Sequence, residues 1–173
     1  MPKQSNNLKR DHPFHLRFKQ GRLFPASVEA KQTIEASASA VWRTLIDFDA
    51  YEVWNPFTPK VRTSLKVGEE VHMDVRLPGR SPQNRKEWVN LVERQQTICW
   101  GMHIANRHLL TANRWQILTP LSDGRTEYWT IDRFSGLFTP LVMALYGKSI
   151  RLGFQAVADN LKLHVESIAE KTE

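Results

Sequence analysis

The stretch that decides the fold is IEASASAVWRTLIDFDAYEVWNPF, residues 34–57. Apolar residues recur at helical spacing from Val41 to Ile46, and Ser37 or Ser39 stands before them as a candidate N-cap. The helix must be short, because Pro56 disfavours helical backbone at the residue before it. The stretch therefore predicts a short helix, a second turn-like helix and a break that starts a strand.

Outward from this stretch, alternating apolar and polar residues predict seven strands. They lie at residues 27–34, 57–65, 69–77, 86–93, 97–104, 109–118 and 124–134. After Gly136 the period becomes helical, which predicts one helix from about 138 to 168. Gly147 and Gly153 inside it suggest a kink or a close approach to a strand.

The order strand, two short helices, six strands and one long helix indicates an α+β fold with an antiparallel sheet. One helix cannot cover both faces of seven strands. We therefore expect the sheet to curl round the helix, an arrangement that readily encloses a cavity.

Length and charge point to one domain with a basic tail. The chain has 173 residues, 41% of them apolar, and a formal net charge of +6. Residues 1–25 hold six basic residues against one acidic residue, or +5, whereas 18 basic and 17 acidic residues leave +1 on residues 26–173. We expect residues 1–25 to be a flexible tail and residues 26–173 to form a single domain. An RNA-binding or anionic-lipid-binding arm is the alternative for the tail.

Several classes of protein are disfavoured. No apolar run resembles an export signal or a membrane span, so a cytoplasmic protein is the simplest interpretation. The single cysteine, Cys99, excludes a disulfide within the chain, and it is more typical of a core residue than of a nucleophile. The histidines lack the spacing of a zinc site, and we expect neither a metal nor a cofactor.

Four motifs carry a family resemblance: residues 34–57, ICWG at 98–101, DGRTEY at 123–128 and DRFSGL at 132–137. In this order they resemble the START-related SRPBCC superfamily, in its polyketide cyclase/dehydrase-like branch, over about residues 27–168. The resemblance implies the helix-grip fold, a seven-stranded antiparallel sheet wrapped round a long C-terminal helix with two small helices closing one end. It also implies a mainly apolar pocket for a lipid-, isoprenoid- or polyketide-like ligand. It implies no single reaction, because the family includes carriers and cyclases.

Strand alternation suggests which side chains line such a pocket. Trp100 and Met102 share one parity, and Trp115 shares another with Asn113; both sets are assigned to the concave face. The alternative is that the rings are simply core. The predicted ligand-binding residues are Trp54, Asn55, Trp88, Asn90, Trp100, Met102, Asn113, Trp115, Tyr128 and Phe154.

The last strand offers the one candidate for catalysis. Both of its parities contain apolar residues, and only the family resemblance favours Tyr128 and Asp132 facing inward. Asp132 is then a candidate general base or ligand anchor, with its pKa raised by burial. The alternative is that Asp132 caps the following helix or pairs with an arginine.

Three functions are compatible with these features. The first is a non-enzymatic module that binds or carries a hydrophobic small molecule, and we favour it. The second is a cyclase or dehydratase that uses a cavity acid. The third is an RNA- or protein-interaction module that acts through the basic tail, with Trp129 and Ile131 exposed.

Overall fold

The computed structural model describes residues 23–106 and 108–170. One sheet contains seven antiparallel strands in the order β1-β7-β6-β5-β4-β3-β2. The strands are β1 (Ala26–Ile34), β2 (Lys60–Arg62), β3 (Glu70–Val75), β4 (Gln83–Glu93), β5 (Thr97–Ile104), β6 (Leu110–Pro120) and β7 (Thr126–Ser135). The helices in the described residues are α1 (Ala38–Ile46), α2 (Tyr51–Trp54) and the long α3 (Thr139–Glu170), with a 3-10 turn at Phe48–Ala50. The predicted helix-grip fold is confirmed.

Two strands differ from their predicted bounds by three residues at one end or at both ends. β2 shrinks to Lys60–Arg62, because the hydroxyls of Thr63 and Ser64 accept the backbone N–H groups of Leu65 and Lys66 and turn the chain away. β4 begins at Gln83 within the predicted loop, because its first residues pair with β3 as far as Val75. Residues 1–22 of the predicted tail, residues 1–25, lie outside the described part of the chain, so the tail stays a prediction.

The opening stretch folds as its local chemistry requires. Ser37 is the N-cap of α1, and its hydroxyl accepts Ala40 N–H at 3.3 Å. The buried Tyr51 hydroxyl donates to the Leu45 carbonyl at 2.6 Å, which satisfies one of the last carbonyls of α1. Asn55 follows α2, and its Oδ1 accepts two successive backbone N–H groups. The break between helix and strand is thus held by hydrogen bonds.

The sheet has an inner face, which packs on α3, and an outer face. The main core joins the inner face to the buried side of α3, whose Phe154, Val157 and Leu161 are almost fully enclosed. Two polar contacts fix α3 along β1: Gln32 donates to Asp159 at 2.6 Å, and Lys162 donates to the Thr33 carbonyl at 2.9 Å. A second, smaller cluster covers the outer face and consists of Cys99, Trp115, Ile117 and Ile131, with Leu91 and Trp129 against it.

The two glycines of α3 have different surroundings. A Cβ on Gly153 would lie 2.2 Å from Cδ2 of Phe57, so only glycine admits the ring at this position. A Cβ on Gly147 would meet only the side chain of Met143, at 3.7 Å or more. Gly153 therefore makes a close approach, but to Phe57 in the break before β2 and not to a strand as the sequence suggested. None of the helices in the described residues combines the length and apolarity needed to cross a membrane.

Candidate functional site

Arg114 lies near the centre of the inner face, where the strand register assembles a row of side chains. On β6 it stands opposite Trp100 of β5 and opposite Asp132 of β7. The next inner residue of β6, Gln116, stands opposite Thr130. Several polar groups therefore occupy the middle of a sheet face whose other residues are mainly apolar, which is typical of a binding site rather than of a core.

The Arg114 guanidinium is held by aromatic rings and one hydroxyl. Its Cζ lies 4.5 Å from the ring centre of Phe154 and 5.3 Å from that of Phe57, and the two rings meet edge to face at 5.3 Å. Its Nε donates to Thr130 Oγ1 at 3.3 Å. Only 5% of the residue is exposed. The charge is thus fixed in place between the sheet and α3.

Two acids interact electrostatically with Arg114. Burial raises the pKa of Asp132 to about 7, and the nearby Arg114 charge opposes part of that shift. Burial and the neighbouring Asp132 charge raise the pKa of Glu87, on β4, to about 8, again against Arg114. Both residues are half-buried. Near pH 7 the Glu87 carboxyl is mainly neutral, and the Asp132 carboxyl is about half ionised. Two acids that exchange protons at neutral pH can hold or move a proton next to a fixed cation.

Tyr128 extends the polar row towards β1. Its hydroxyl donates to Gln116 Oε1 at 3.0 Å, and burial raises its pKa above the ordinary value for tyrosine, so the phenol stays protonated. Tyr128 therefore orients the Gln116 amide instead of acting as a base.

Four polar atoms of this row lack a hydrogen-bond partner among the described residues. They are Trp100 Nε1, Arg114 Nη2, Gln116 Nε2 and Asp132 Oδ1. Native proteins rarely leave such buried groups unsatisfied, because each costs about 1–3 kcal/mol. Three donors and one acceptor at adjacent positions can together hold an oxygen-bearing molecule. We call Glu87, Trp100, Arg114, Gln116 and Asp132 the inner polar cluster.

Trp54 and Asn55 lie at one end of the fold. Trp54 is buried, meets Tyr51 edge to face and stacks on His164 of α3 at 6.5 Å. Trp54 Nε1 has no hydrogen-bond partner in the described part of the chain. The Oδ1 atom of Asn55, by contrast, is used by the turn it caps. Trp54 thus keeps a donor available, whereas the carbonyl of Asn55 serves the fold.

Two shallow grooves flank α1, and neither contains the inner polar cluster. One, of about 390 Å³, lies between α1 and the end of α3 and includes Arg43 and His164. The other, of about 400 Å³, lies between α1 and the turn after β4 and includes Trp42 and Gln95. They are open surface features, so the chemistry of the inner polar cluster is the better guide to a site.

Four predicted ligand-binding residues, Trp88, Asn90, Asn113 and Trp115, lie on the outer face, so the assignment of Trp115 and Asn113 to the concave face is wrong. Trp115 belongs to the outer cluster, and Asn113 shares its parity and accepts a hydrogen bond from Asn90 at 2.9 Å. Trp88 stacks on His103 on the same outer surface. Two features explain the error: β6 turns its polar residues inward, and a bulge between Val89 and Leu91 breaks the alternation of β4.

The remaining predicted residues lie on the inner side. Trp100, Tyr128 and Phe154 belong to the main core, Met102 pairs with an inner residue of β6, and Asp132 faces Arg114. Sequence reasoning missed Arg114, Gln116 and Glu87. Arg114 and Gln116 share a parity with the apolar Leu118 on β6, and Glu87 shares one with Val89 on β4. That shared parity was the available signal.

Two further findings concern chemistry outside the inner polar cluster. Cys99 is fully buried in the outer cluster, and burial raises the pKa of its thiol, which makes it unreactive. Within residues 23–106 and 108–170, no three His, Cys, Asp or Glu side chains gather closely enough to hold a metal ion.

Comparison with protein families gives one match that spans most of the chain. The family described as polyketide cyclase / dehydrase and lipid transport matches residues 25–166. No curated protein matches the chain in sequence.

Solved structures share the fold at low sequence identity. The aromatase/cyclase Zhui from Streptomyces sp. R1128 is 16% identical, with a TM-score of 0.66 over 82% of this chain and 94% of that chain. Norcoclaurine synthase from Thalictrum flavum is 14% identical, with a TM-score of 0.65 over 87% and 99%. The protein TTHA0849 from Thermus thermophilus is 12% identical, with a TM-score of 0.64 over 83% and 99%. These likenesses show the fold.

Proposed function

Because the chain belongs to the polyketide cyclase/dehydrase and lipid transport family, we propose that it binds an apolar small molecule bearing at least one oxygen atom between the inner face and α3. The family and its fold support an apolar ligand or cyclase-type chemistry. The observation that carries the proposal is the inner polar cluster, whose unsatisfied donors and acceptor lie within an apolar interior.

The charge of the inner polar cluster favours an electron-rich oxygen. With the pKa of Asp132 at about 7 and that of Glu87 at about 8, Glu87 is mainly neutral at pH 7 and Asp132 is about half ionised. Arg114 then lacks a full counter-charge, and a buried uncompensated cation is costly. A carbonyl, phenolate or carboxylate oxygen beside Arg114 lowers that cost. A saturated hydrocarbon offers no such group and fits the site less well.

The spacing of the donors favours several oxygens over one. Trp100 and Arg114 are cross-strand neighbours, and Gln116 is the next inner residue along β6. Cross-strand neighbours lie about 5 Å apart, and alternate residues of a strand about 7 Å apart. A chain or fused-ring molecule with repeated oxygens, as in polyketides, can meet these donors together. An oxygenated isoprenoid meets one or two of them.

The test compares two arginine substitutions on neighbouring strands. Arg114→Met removes the inner guanidinium, whereas Arg133→Met removes one from the outer face of β7. Titration with the fluorescent probe 1-anilinonaphthalene-8-sulfonate, apolar and anionic, measures the affinity of each. We expect Arg114→Met to weaken binding about tenfold or more and Arg133→Met to leave it unchanged. Equal affinities for the wild type and both variants would refute this site. A native mass spectrum of the purified chain provides an independent search for a co-purified molecule.

The pKa values of Asp132 and Glu87 favour a second candidate function, a cyclase or dehydratase that moves protons on the bound molecule. In this mechanism the ionised acid removes a proton from the carbon next to a carbonyl group, and the neutral acid then donates a proton to the resulting enolate oxygen. Arg114 stabilises the negative charge that develops on the oxygen. Asp132 and Glu87 differ in pKa, and such chemistry needs two acids with different pKa values.

Conservative substitutions separate carrier from enzyme. Asp132→Asn and Glu87→Gln keep the size of each side chain and remove its proton exchange. If a poly-β-ketone analogue is turned over by the wild type, each variant should bind it normally and turn it over at least about 100-fold more slowly. Unchanged turnover in both variants would exclude acid–base catalysis at this site and leave binding as the function.

A further inference from the structure

An exposed apolar surface covers the start of α3 and the two residues before it. It consists of Leu137, Phe138, Leu141, Leu145 and Leu152, each at least 41% exposed, and we call it the leucine face. Residues 141, 145, 148 and 152 recur at spacings of three and four, so Lys148 lies within the same stripe. Large apolar side chains clustered on a surface mark an interaction site more often than scattered ones do.

Two long segments next to the leucine face contain basic residues and no acidic residue. Residues 133–158 include Arg133, Lys148 and Arg151 and no aspartate or glutamate. Residues 75–86, from the end of β3 through the connection to the first residues of β4, add four basic residues and no acid, and one of them, Lys86, pairs with Glu70 of β3. This connection packs against α3: Ser149 donates to the Pro78 carbonyl, and Arg80 donates to the Leu145 carbonyl and lies over the Tyr146 ring.

The basic N-terminal segment joins the structure at the same place. Leu23, the first described residue, accepts a hydrogen bond from Gly136 N at 2.7 Å, directly before Leu137. Leu23 therefore lies directly beside the leucine face. Residues 1–25 carry six basic residues against one acidic residue, or +5.

We propose that the leucine face docks on the surface of an anionic lipid bilayer, with its apolar side chains in the headgroup boundary and Arg80, Lys148 and Arg151 among the lipid phosphates. Apolar groups flanked by lysine and arginine are the composition of surface-bound helices. A second copy of the chain would bring positive charge against positive charge, and so would residues 1–25. An anionic bilayer complements both features of the face. The inference does not depend on what the inner polar cluster binds.

The experiment measures binding of the full chain to vesicles of phosphatidylcholine, with and without phosphatidylglycerol, by flotation. We expect the wild type to bind the anionic vesicles only. In the double variant Lys148→Gln, Arg151→Gln, the affinity for these vesicles should fall about fivefold for each basic side chain removed. The double variant Leu141→Glu, Leu145→Glu should lose binding by about tenfold or more. Val67→Glu is the matched control, since Val67 is 64% exposed in the turn between β2 and β3, away from α3. It should bind as the wild type does.

Three results would overturn the proposal. One is equal binding of the wild type and the Leu141→Glu, Leu145→Glu variant. Another concerns the variant in which glutamine replaces the six basic residues of residues 1–25. The proposal fails if this variant loses vesicle binding while every substitution in α3 leaves binding unchanged. The third is a wild-type dimer in sedimentation velocity that the leucine variant converts to monomer, which would assign the face to a second copy. Thermal unfolding of each variant verifies that the fold is kept.

Discussion

The packing of α3 on the sheet predicts opposite effects for the same substitution at two glycines of one helix. Gly147→Ala places its Cβ in ordinary contact with Met143, at 3.7 Å or more. Gly153→Ala places its Cβ 2.2 Å from one ring carbon of Phe57 and 2.8 Å from another. The ring has little room to move, because it packs on Phe154 and Arg114.

The magnitudes follow from two competing effects. Replacing a helical glycine by alanine contributes about 1 kcal/mol to stability through helix propensity, and this gain applies at both positions. The clash at Gly153 costs about 1–3 kcal/mol as overpacking. Because the propensity gain cancels between the variants, Gly153→Ala should be less stable than Gly147→Ala by about 1–3 kcal/mol. The midpoint of thermal unfolding changes by about 2–4 °C per kcal/mol in a chain of this size.

Urea unfolding followed by tryptophan fluorescence measures both variants under identical conditions. We expect Gly147→Ala to be more stable than the wild type and Gly153→Ala to be equal or less stable. Adding Phe57→Leu to Gly153→Ala should recover part of the stability lost to the clash. Adding it to Gly147→Ala should recover nothing, because that variant has no clash with the ring. Equal stabilisation by both alanines would show that Phe57 does not pack on Gly153, and the position of Arg114 against α3 would have to be revised.

Three further predictions concern stability. Because burial raises the pKa of Glu87 to about 8 and of Asp132 to about 7, the folded chain binds protons that the unfolded chain has released. The stability that these two acids contribute should therefore be greatest near about pH 4 and be lost as the pH rises to about 8, so urea unfolding across that range should show a smaller loss with rising pH in Glu87→Gln than in the wild type. Tyr51→Phe removes the donor to the Leu45 carbonyl and should cost about 1–2 kcal/mol in the same assay; no loss would contradict that buried bond. Asn55→Ala should cost about 1 kcal/mol and Asn55→Asp much less, because aspartate keeps the oxygen that accepts two backbone N–H groups; equal losses would contradict the turn.

The fold could be predicted because its signals are local. The cap at Ser37, the break at Pro56, the strand alternation and the change of period after Gly136 each depend on neighbouring residues. These features specify the order of strands and helices, and the order leaves few topologies that bury one long helix against a sheet. Strand ends shifted by as much as three residues only where local side-chain hydrogen bonds or pairing with β3 changed them.

The site was harder to predict because it breaks the usual pattern. On β6 the polar Arg114 and Gln116 point inward while Trp115 and Ile117 cover the outer face, so choosing the apolar parity gave the wrong side. On β4 a bulge interrupts the alternation of inner and outer residues, and the sequence pattern alone does not reveal a bulge. Places where a sequence departs from its binary pattern are expected at functional sites.

The most direct test of the inner polar cluster uses the indole N–H signals of the tryptophans in a ¹⁵N NMR spectrum, assigned by single Trp→Phe substitutions. During titration with 1-anilinonaphthalene-8-sulfonate, we expect the Trp100 signal to shift, because its buried N–H lacks a partner among the described residues and lies beside Arg114. The signals of Trp88 and Trp129, on the outer face, should stay in place. A shift of the outer signals with Trp100 unchanged would contradict the account and move the binding site to the other side of the sheet.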